Sequence, residues 1–499
     1  MEINKSKYCA FCQCEKSVWL KSFKPEQLVV DDCVAERLAA SNEVCDLQRK
    51  LFYNLVDILS VAKDKTNTTE LIDKTKQLIA AGQNAISRGH FVFEDIHCVV
   101  DILEKQQDGY ALYKTKSSTN PNQRANIIEI AYQKYILQKC GINIVSTNVI
   151  NVEIEYVFKG NLQTIKWFKI TNIDDLVEQE IVWVEKNIAK LKQVLLTDKE
   201  PNIDLNNACH SPYTCGFWKY CSRHLPAPSV FDLYATSGKV KLDFYKKGVV
   251  SFEDLKNTGK DFGIIANMQL EHSINELPIH INKNGVKQFL DTLWYPLYFL
   301  DFETMQLGVP KYKKSKPYQP IPFQYSLHYI EHKGGEVKRK EFLATPDKDP
   351  RVQVAKSLYN DIPENACVLA YNKFFERDRI KELAKLFPLK RKKFEKIAGN
   401  IKDLIDPFSQ GLVYNKNMGN SLSIKSVLPA LYPDDENLNY HNLSGVQNGN
   451  EAMFLFPKLK NMSEGEQKIA RKNLLEYCKL DTYAMVKIFE FLQKSIQQD

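Results

Sequence analysis

No apolar run in the chain reaches the roughly eighteen residues needed to cross a bilayer as a helix, which argues against a helical membrane protein. The start, MEINKSKYCAFCQC, lacks the apolar middle of a signal peptide, so an intracellular, cytoplasmic protein is expected. Internal repeats and low-complexity tracts are also missing, which argues against a repeat array. Nor does charge of one sign dominate. The 68 Lys and Arg against 61 Asp and Glu leave a net charge of +7, too small over 499 residues to imply nucleic acid by itself. What the length does imply is more than one core, with two or three domains expected.

Cysteine, by contrast, is plentiful. Twelve thiols in a reducing compartment are not expected to pair as disulfides, and thiols at short spacings point instead to a metal or iron-sulfur site. Cys209, Cys215 and Cys221 recur at intervals of six, and three thiolates require a fourth ligand for a cubane cluster or a tetrahedral zinc. Candidates crowd in YCAFCQCEKSVWL, at Cys9, Cys12 and Cys14. The remaining thiols, Cys33, Cys45, Cys98, Cys140, Cys367 and Cys478, are read as small buried hydrophobes.

The organisation follows from hydrophobic periodicity. Residues 26–88 read as helical. A strand pair follows, FVFEDIHCVVDILEK and GYALYKTKS, then the helix ANIIEIAYQKYILQKCG closed by Gly141. A second strand pair over 146–157 and 162–171 precedes a long helix over 174–196, and LPAPS marks a domain end near 225. Residues 226–292 read as a helical connector. From 293 to 499 strands and helices alternate, as a mixed sheet flanked by helices requires. The last helix opens with a capping box of Ser463 and Glu466 and runs to about 494. Two basic stretches, KYKKSK at 311–316 and KRKK at 390–393, are read as solvated surface that can also take phosphates.

Within YFLDFET, residues 298–304, Asp301 and Glu303 stand two apart on a strand and therefore on one face, with Leu300 and Phe302 turned to a core. Two neighbouring carboxylates in a partly dry site need a shared proton or a cation. Further acids of this kind are Glu376, in the first helical turn after the strand VLAYN, and Asp481 in YCKLDTYAM, four residues beyond Tyr477 on the same helical face. If they converge, the four acids supply hard oxygen ligands for two magnesium or manganese ions, which clamp the attacking and leaving oxygens of a phosphoryl displacement. Tyr477 is then placed to orient the attacking water. Asp403 is a spare acid.

These motifs, in this order, resemble the 3′–5′ exonuclease domains of the DnaQ, RNase H-like superfamily in its tyrosine-containing branch: Asp-x-Glu at 301–303, Asn372 followed by an acid, and Tyr-x-x-x-Asp at 477–481. Glu376 stands where the family usually has Asp. The N-terminal half, residues 1–225, resembles the RecB-like nucleases of the PD-(D/E)xK, restriction-endonuclease-like fold that carry an iron-sulfur cluster on one N-terminal and three C-terminal cysteines. That resemblance implies a 4Fe-4S cluster on Cys14, Cys209, Cys215 and Cys221, with zinc as the alternative metal. It also implies a nuclease site of Asp101, Lys116 and Gln133, in which Lys114 occupies the position of a metal-binding Glu, and Glu129 that of an Asp. A lysine there repels the ion, so the site is expected to be degenerate and to serve as a phosphate-binding surface, with Glu94 or Glu129 able to supply the missing acid.

The two halves together resemble the bacterial family with the domain of unknown function numbered 2779, through FLDFET, IPFQYSLH, LAYNKFFE, SIKSVLPALYP and YCKLDTYAM. The expected activity is a metal-dependent 3′–5′ exonuclease on nucleic acid, DNA first, with the N-terminal half as a DNA-binding clamp. The alternatives are an RNA exonuclease or a non-catalytic nucleic-acid-binding scaffold. The oligomeric state is left open.

Overall fold

Runs rich in β-branched and aromatic residues gather into two mixed sheets, one in each half of the chain, in a computed structural model that describes residues 2–30, 33–211 and 213–497. The chain divides into two units, Met1–Arg223 with Leu307–Tyr318, and His224–Gln306 with Gln319–Asp499. Both are mixed α/β. Among the described residues no helix is long and apolar enough to cross a membrane.

The first unit is built on β1 (Ile3–Asn4), β2 (Leu55–Asp57), β3 (Ala85–Phe93), β4 (Ile96–Lys105), β5 (Tyr110–Thr115), β6 (Ile144–Val152) and β7 (Phe168–Asn172). The sheet order is β2-β3-β4-β5-β6-β7, with β1 pairing parallel to β4. The expected helical stretch over 26–88 is broken. Its helices are Val34–Arg49, Ile58–Val61 and Thr68–Ala80, with β2 between them and β3 beginning at Ala85. Parallel pairing of Leu55, Val56 and Asp57 with Ala85, Ile86 and Ser87 overrides the local helical pattern. The run FVFEDIHCVVDILEK is two strands rather than one, because Glu94 takes a left-handed φ of 53° and turns β3 back into β4. The helix expected over 174–196 is two, Asp174–Ile181 and Val184–Leu196. Gly141, at φ 79°, follows the helix Arg124–Lys139 as expected. That helix packs Ile130, Ile136 and Leu137 on Leu103, Leu112 and Val149 of the sheet.

In the second unit β8 (His280–Ile281) pairs with β14 (Val413–Tyr414), and the main sheet comprises β9 (Leu297–Gln306), β10 (Pro320–Ile330), β11 (Lys338–Leu343), β12 (Cys367–Ala370) and β13 (Ile401–Asp403). Its order is β11-β10-β9-β12-β13, antiparallel from β11 through β9 and parallel from β9 through β13. Alternation along β9 sends Tyr298, Leu300 and Phe302 into a core with Val354, Leu358, Ile380 and Phe394. Phe299, Asp301 and Glu303 therefore face the other way. That face is covered by the helix Glu464–Ser495, whose Phe489 ring lies 5.6 Å from that of Phe299. The helix opens with the expected Ser463–Glu466 capping box.

Three buried polar residues of β10 fix its docking. Gln324 Nε2 donates to the Leu474 carbonyl at 2.7 Å, and Ser326 and His328 reach the Thr482 hydroxyl at 2.7 and 2.9 Å. Residues 224–292 supply the short helices Gly238–Tyr245, Phe252–Asn257, Ile264–Ile274 and Lys283–Asp291 of this unit.

Candidate functional site

The register of β9 and the docking of the last helix bring acids from separate parts of the chain to one place. Asp301 and Glu303 project from β9 toward Tyr477, Cys478 and Asp481. The ligand atoms of Asp301, Glu303 and Cys478 all lie within 4.8 Å of one another. Glu376 joins from the helix Phe374–Leu386. It is 3% exposed, and its Oε2 has no hydrogen-bond partner. Tyr440 donates to Asp481 Oδ1 at 2.7 Å, and Lys425 Nζ donates to the Tyr477 hydroxyl at 3.2 Å while resting over both tyrosine rings.

Electrostatics mark the cluster as one short of positive charge. Burial, together with Asp481, Glu303 and Glu376, pushes the Asp301 carboxyl well up. Burial and Asp481 do the same to Glu303, against the opposing pull of Lys425. Burial raises Glu376 to about 8, helped by Asp403 and Asp481. Asp481 reaches only about 6, because its hydrogen bonds from Tyr440 and Tyr477 and the nearby Lys425 oppose burial. Asp301, Glu303 and Glu376, so raised, keep protons near neutral pH unless a cation replaces them. The close donor set is Asp301, Glu303 and Cys478, and the carboxylates of Asp301 and Glu303 are hard oxygen donors of the kind magnesium or manganese takes.

Asp403 is not the spare ligand expected. Its Oδ1 accepts from the Asn372 amide at 2.9 Å and its Oδ2 from the Lys373 amide at 3.0 Å, which holds the turn where Asn372 adopts a left-handed φ of 69° and launches the helix bearing Glu376. Three participants escaped the sequence reading. Cys478, read as a small core hydrophobe, points its thiol at Asp301, with Sγ 3.6 Å from Oδ2. Its signal was available, since Cys478 and Asp481 are three apart on one helical face. Tyr440 and Lys425 carried no local signal, because only the fold brings them in.

In the N-terminal unit Cys14, Cys209, Cys215 and Cys221 line one small cavity with Leu20, Phe217 and Trp218. Cys14 separates the helices Lys5–Gln13 and Glu15–Phe23, and Cys221 ends the turn Trp218–Cys221. Burial, with the three other thiols nearby, pushes Cys221 up to about 11. Cys9 and Cys12 do not line this cavity and pack against the unit's core.

The Asp101 site is filled by lysine. Lys114, 5% exposed, sets its Nζ 2.7 Å from Asp101 and 2.5 Å from Glu129. Lys116 and Lys5 also pair with Glu129, at 2.9 and 2.5 Å. Although burial pulls its ammonium down, the two acids hold Lys114 well above the ordinary lysine range. Glu129 thus stands beside Lys114 as a second acid, taken up by ion pairs with three lysines. Lys114 is enclosed and neutralised, so the phosphate-binding surface expected of the paired lysines is not formed by Lys114. Glu94 lies apart, facing Lys192 at 3.9 Å. Gln133 uses its amide on the Val99 carbonyl at 2.8 Å. Within the basic stretches, Lys316 pairs with Glu155, and Lys390 and Lys393 lie over the Tyr359 ring.

Residues 298–423 match the profile of a domain of unknown function, DUF2779. The chain is 27% identical over 218 residues to the uncharacterized protein MG366 of Mycoplasma genitalium, covering 40% of this chain and 32% of that one. It is likewise 27% identical over 305 residues to the uncharacterized protein UU173 of Ureaplasma parvum, covering 55% and 42%. The matched stretch is thus less than half the length of either relative. The profile takes in Asp301, Glu303 and Glu376 and stops short of Tyr477 and Asp481.

Proposed function

We propose that the chain is a metal-dependent nuclease, a 3′–5′ exonuclease hydrolysing phosphodiester bonds, with DNA as its first substrate. The observation that carries this reading is Asp301 and Glu303 side by side, their ligand atoms within 4.8 Å, in the electrostatic reach of buried Asp481 and Glu376, the latter with an orphaned carboxylate oxygen. Asp301, Glu303, Glu376 and Asp481 would hold magnesium or manganese, which when bound polarises the phosphodiester and makes water a better nucleophile. Tyr477 orients the attacking water through its hydroxyl. Burial and Asp481 push that hydroxyl far up, so it stays protonated. Tyr440 positions Asp481. The strand order, with β10 antiparallel beside a parallel β9-β12-β13, supports an RNase H-like reading of this half.

The N-terminal half is proposed as a RecB-like, nuclease-shaped clamp whose own site holds Lys114 in place of a metal. Cys14, Cys209, Cys215 and Cys221 would hold a 4Fe-4S cluster. All four line one small cavity, and a single tetrahedral zinc is the alternative occupant.

The test offers end-labelled single- and double-stranded DNA and RNA to the full chain with Mg²⁺ or Mn²⁺. Stepwise loss of 3′ nucleotides from DNA is expected, abolished by Asp301→Asn. Cleavage confined to RNA would replace the substrate, and no cleavage of any of the four would overturn the nuclease reading.

A further inference from the structure

We propose that the C-terminal acid cluster also takes a thiophilic divalent cation, of the zinc and cadmium class, through Cys478 Sγ together with the carboxylates of Asp301 and Glu303. The site is then a mixed oxygen and sulfur one. Cys478 is fully buried, and its thiol lies 3.6 Å from Asp301 Oδ2 and within 4.8 Å of a Glu303 carboxylate oxygen. Around a tetrahedral ion with metal–sulfur and metal–oxygen distances of about 2.3 and 2.1 Å, the sulfur–oxygen edge is about 3.6 Å.

A second observation points to the same ligand. Glu376 is 3% exposed with Oε2 lacking a hydrogen-bond partner, and its charge raises both Asp301 and Glu303, so a buried, unpartnered oxygen donor stands within electrostatic reach of the cluster. Carboxylates alone suit magnesium and manganese, whereas a thiolate shifts preference to softer ions. On binding, the sulfur–hydrogen bond gives way to a sulfur–metal bond and the thiol proton leaves to solvent, with no change of oxidation state. Zinc-class ions would therefore exclude magnesium or manganese from Asp301 and Glu303. This consequence rests on the nuclease reading of the same ligands.

The experiment titrates reduced, metal-free full chain with Cd²⁺ under anaerobic conditions, following cadmium–thiolate ultraviolet absorption and bound Cd²⁺ by dialysis. Because other thiols also bind cadmium, the difference between variants is the readout. Wild type and the buried-cysteine control Cys367→Ser should bind one more Cd²⁺ per chain than Cys478→Ser. Asp301→Asn, which keeps the thiol, should weaken that same equivalent at least tenfold and stands in if Cys478→Ser fails to fold. Equal stoichiometry in wild type and Cys478→Ser, or an unweakened site in Asp301→Asn, overturns the proposal. A lost cadmium difference with DNA cleavage intact sinks this inference alone, while a retained difference with no cleavage sinks the nuclease reading alone.

Discussion

At the residue scale the proposed chemistry falls to single side chains, whose mutual repulsion in the metal-free protein is open to test. Asp301→Asn or Asp481→Asn should lower Mg²⁺-dependent cleavage by orders of magnitude, since a two-ion displacement loses a ligand. The same changes should leave metal-free thermal stability equal or higher, because they remove repulsion among buried carboxyls. Unchanged cleavage, or a large metal-free loss of stability, would make these acids structural. Tyr440→Phe removes a hydrogen bond to a carboxylate, a loss of about 1.5–3 kcal/mol, and should lower the unfolding midpoint accordingly while slowing cleavage by roughly ten- to hundredfold.

The pH dependence has a definite sign. Ordinary carboxyls in the unfolded chain titrate near 4, whereas folded Asp481 and Glu376 titrate at about 6 and about 8. The native state thus holds more protons than the unfolded state between about pH 4 and 8, and metal-free stability should fall as pH rises through that window. Saturating Mn²⁺ should flatten the decline. Thermal unfolding with chelator and with Mn²⁺, at several pH values, checks both statements; a metal-free stability that rises with pH would refute the first.

At the scale of elements, the site depends on how the last helix is seated. IPFQYSLH reads locally as a strand, and its odd polar members acquire a purpose only once Gln324, Ser326 and His328 are seen to hold the helix that carries Tyr477, Cys478 and Asp481. Thr482→Val is nearly isosteric yet leaves two buried polar groups on β10 without their partner. It should cost about 1–3 kcal/mol, read by denaturant unfolding, and lower cleavage although it touches no proposed ligand. The element reading from sequence succeeded where periodicity was uninterrupted, as in the helix Arg124–Lys139 and the capped helix Glu464–Ser495. It failed over 26–88 and 91–105, where β2 pairs with a strand distant in sequence and a single left-handed residue turns the chain.

On the scale of the whole molecule, each unit has its own polar staple. In the N-terminal unit Lys114→Met leaves Asp101 and Glu129 buried with less compensation, and breaking such a pair costs about 3–5 kcal/mol. A fall in the unfolding midpoint is expected, with Mg²⁺-dependent cleavage by the folded fraction nearly intact; a loss of cleavage equal to that of Asp301→Asn would relocate the engine to this unit. Anaerobically purified protein is expected to be brown and to contain iron and sulfide, which Cys215→Ser should remove. Stoichiometric zinc without iron in the wild type would replace the cluster assignment.

The sequence by itself determined the pairing of Asp301 with Glu303 on one strand face, the placement of Tyr477 and Asp481 on one helical face, and the periodic spacing of Cys209, Cys215 and Cys221, because each follows from the fixed repeat of a strand, a helix or the chain itself. Only the tertiary structure decided that Asp403 caps a turn, that Lys114 is clasped by Asp101 and Glu129, and that Cys478, Tyr440 and Lys425 belong to the acid cluster. The physical reason is common to these cases. A hydrogen bond or an ion pair is set by a few ångströms in space, and residues far apart in the chain acquire that proximity only when the hydrophobic cores bring their strands and helices together.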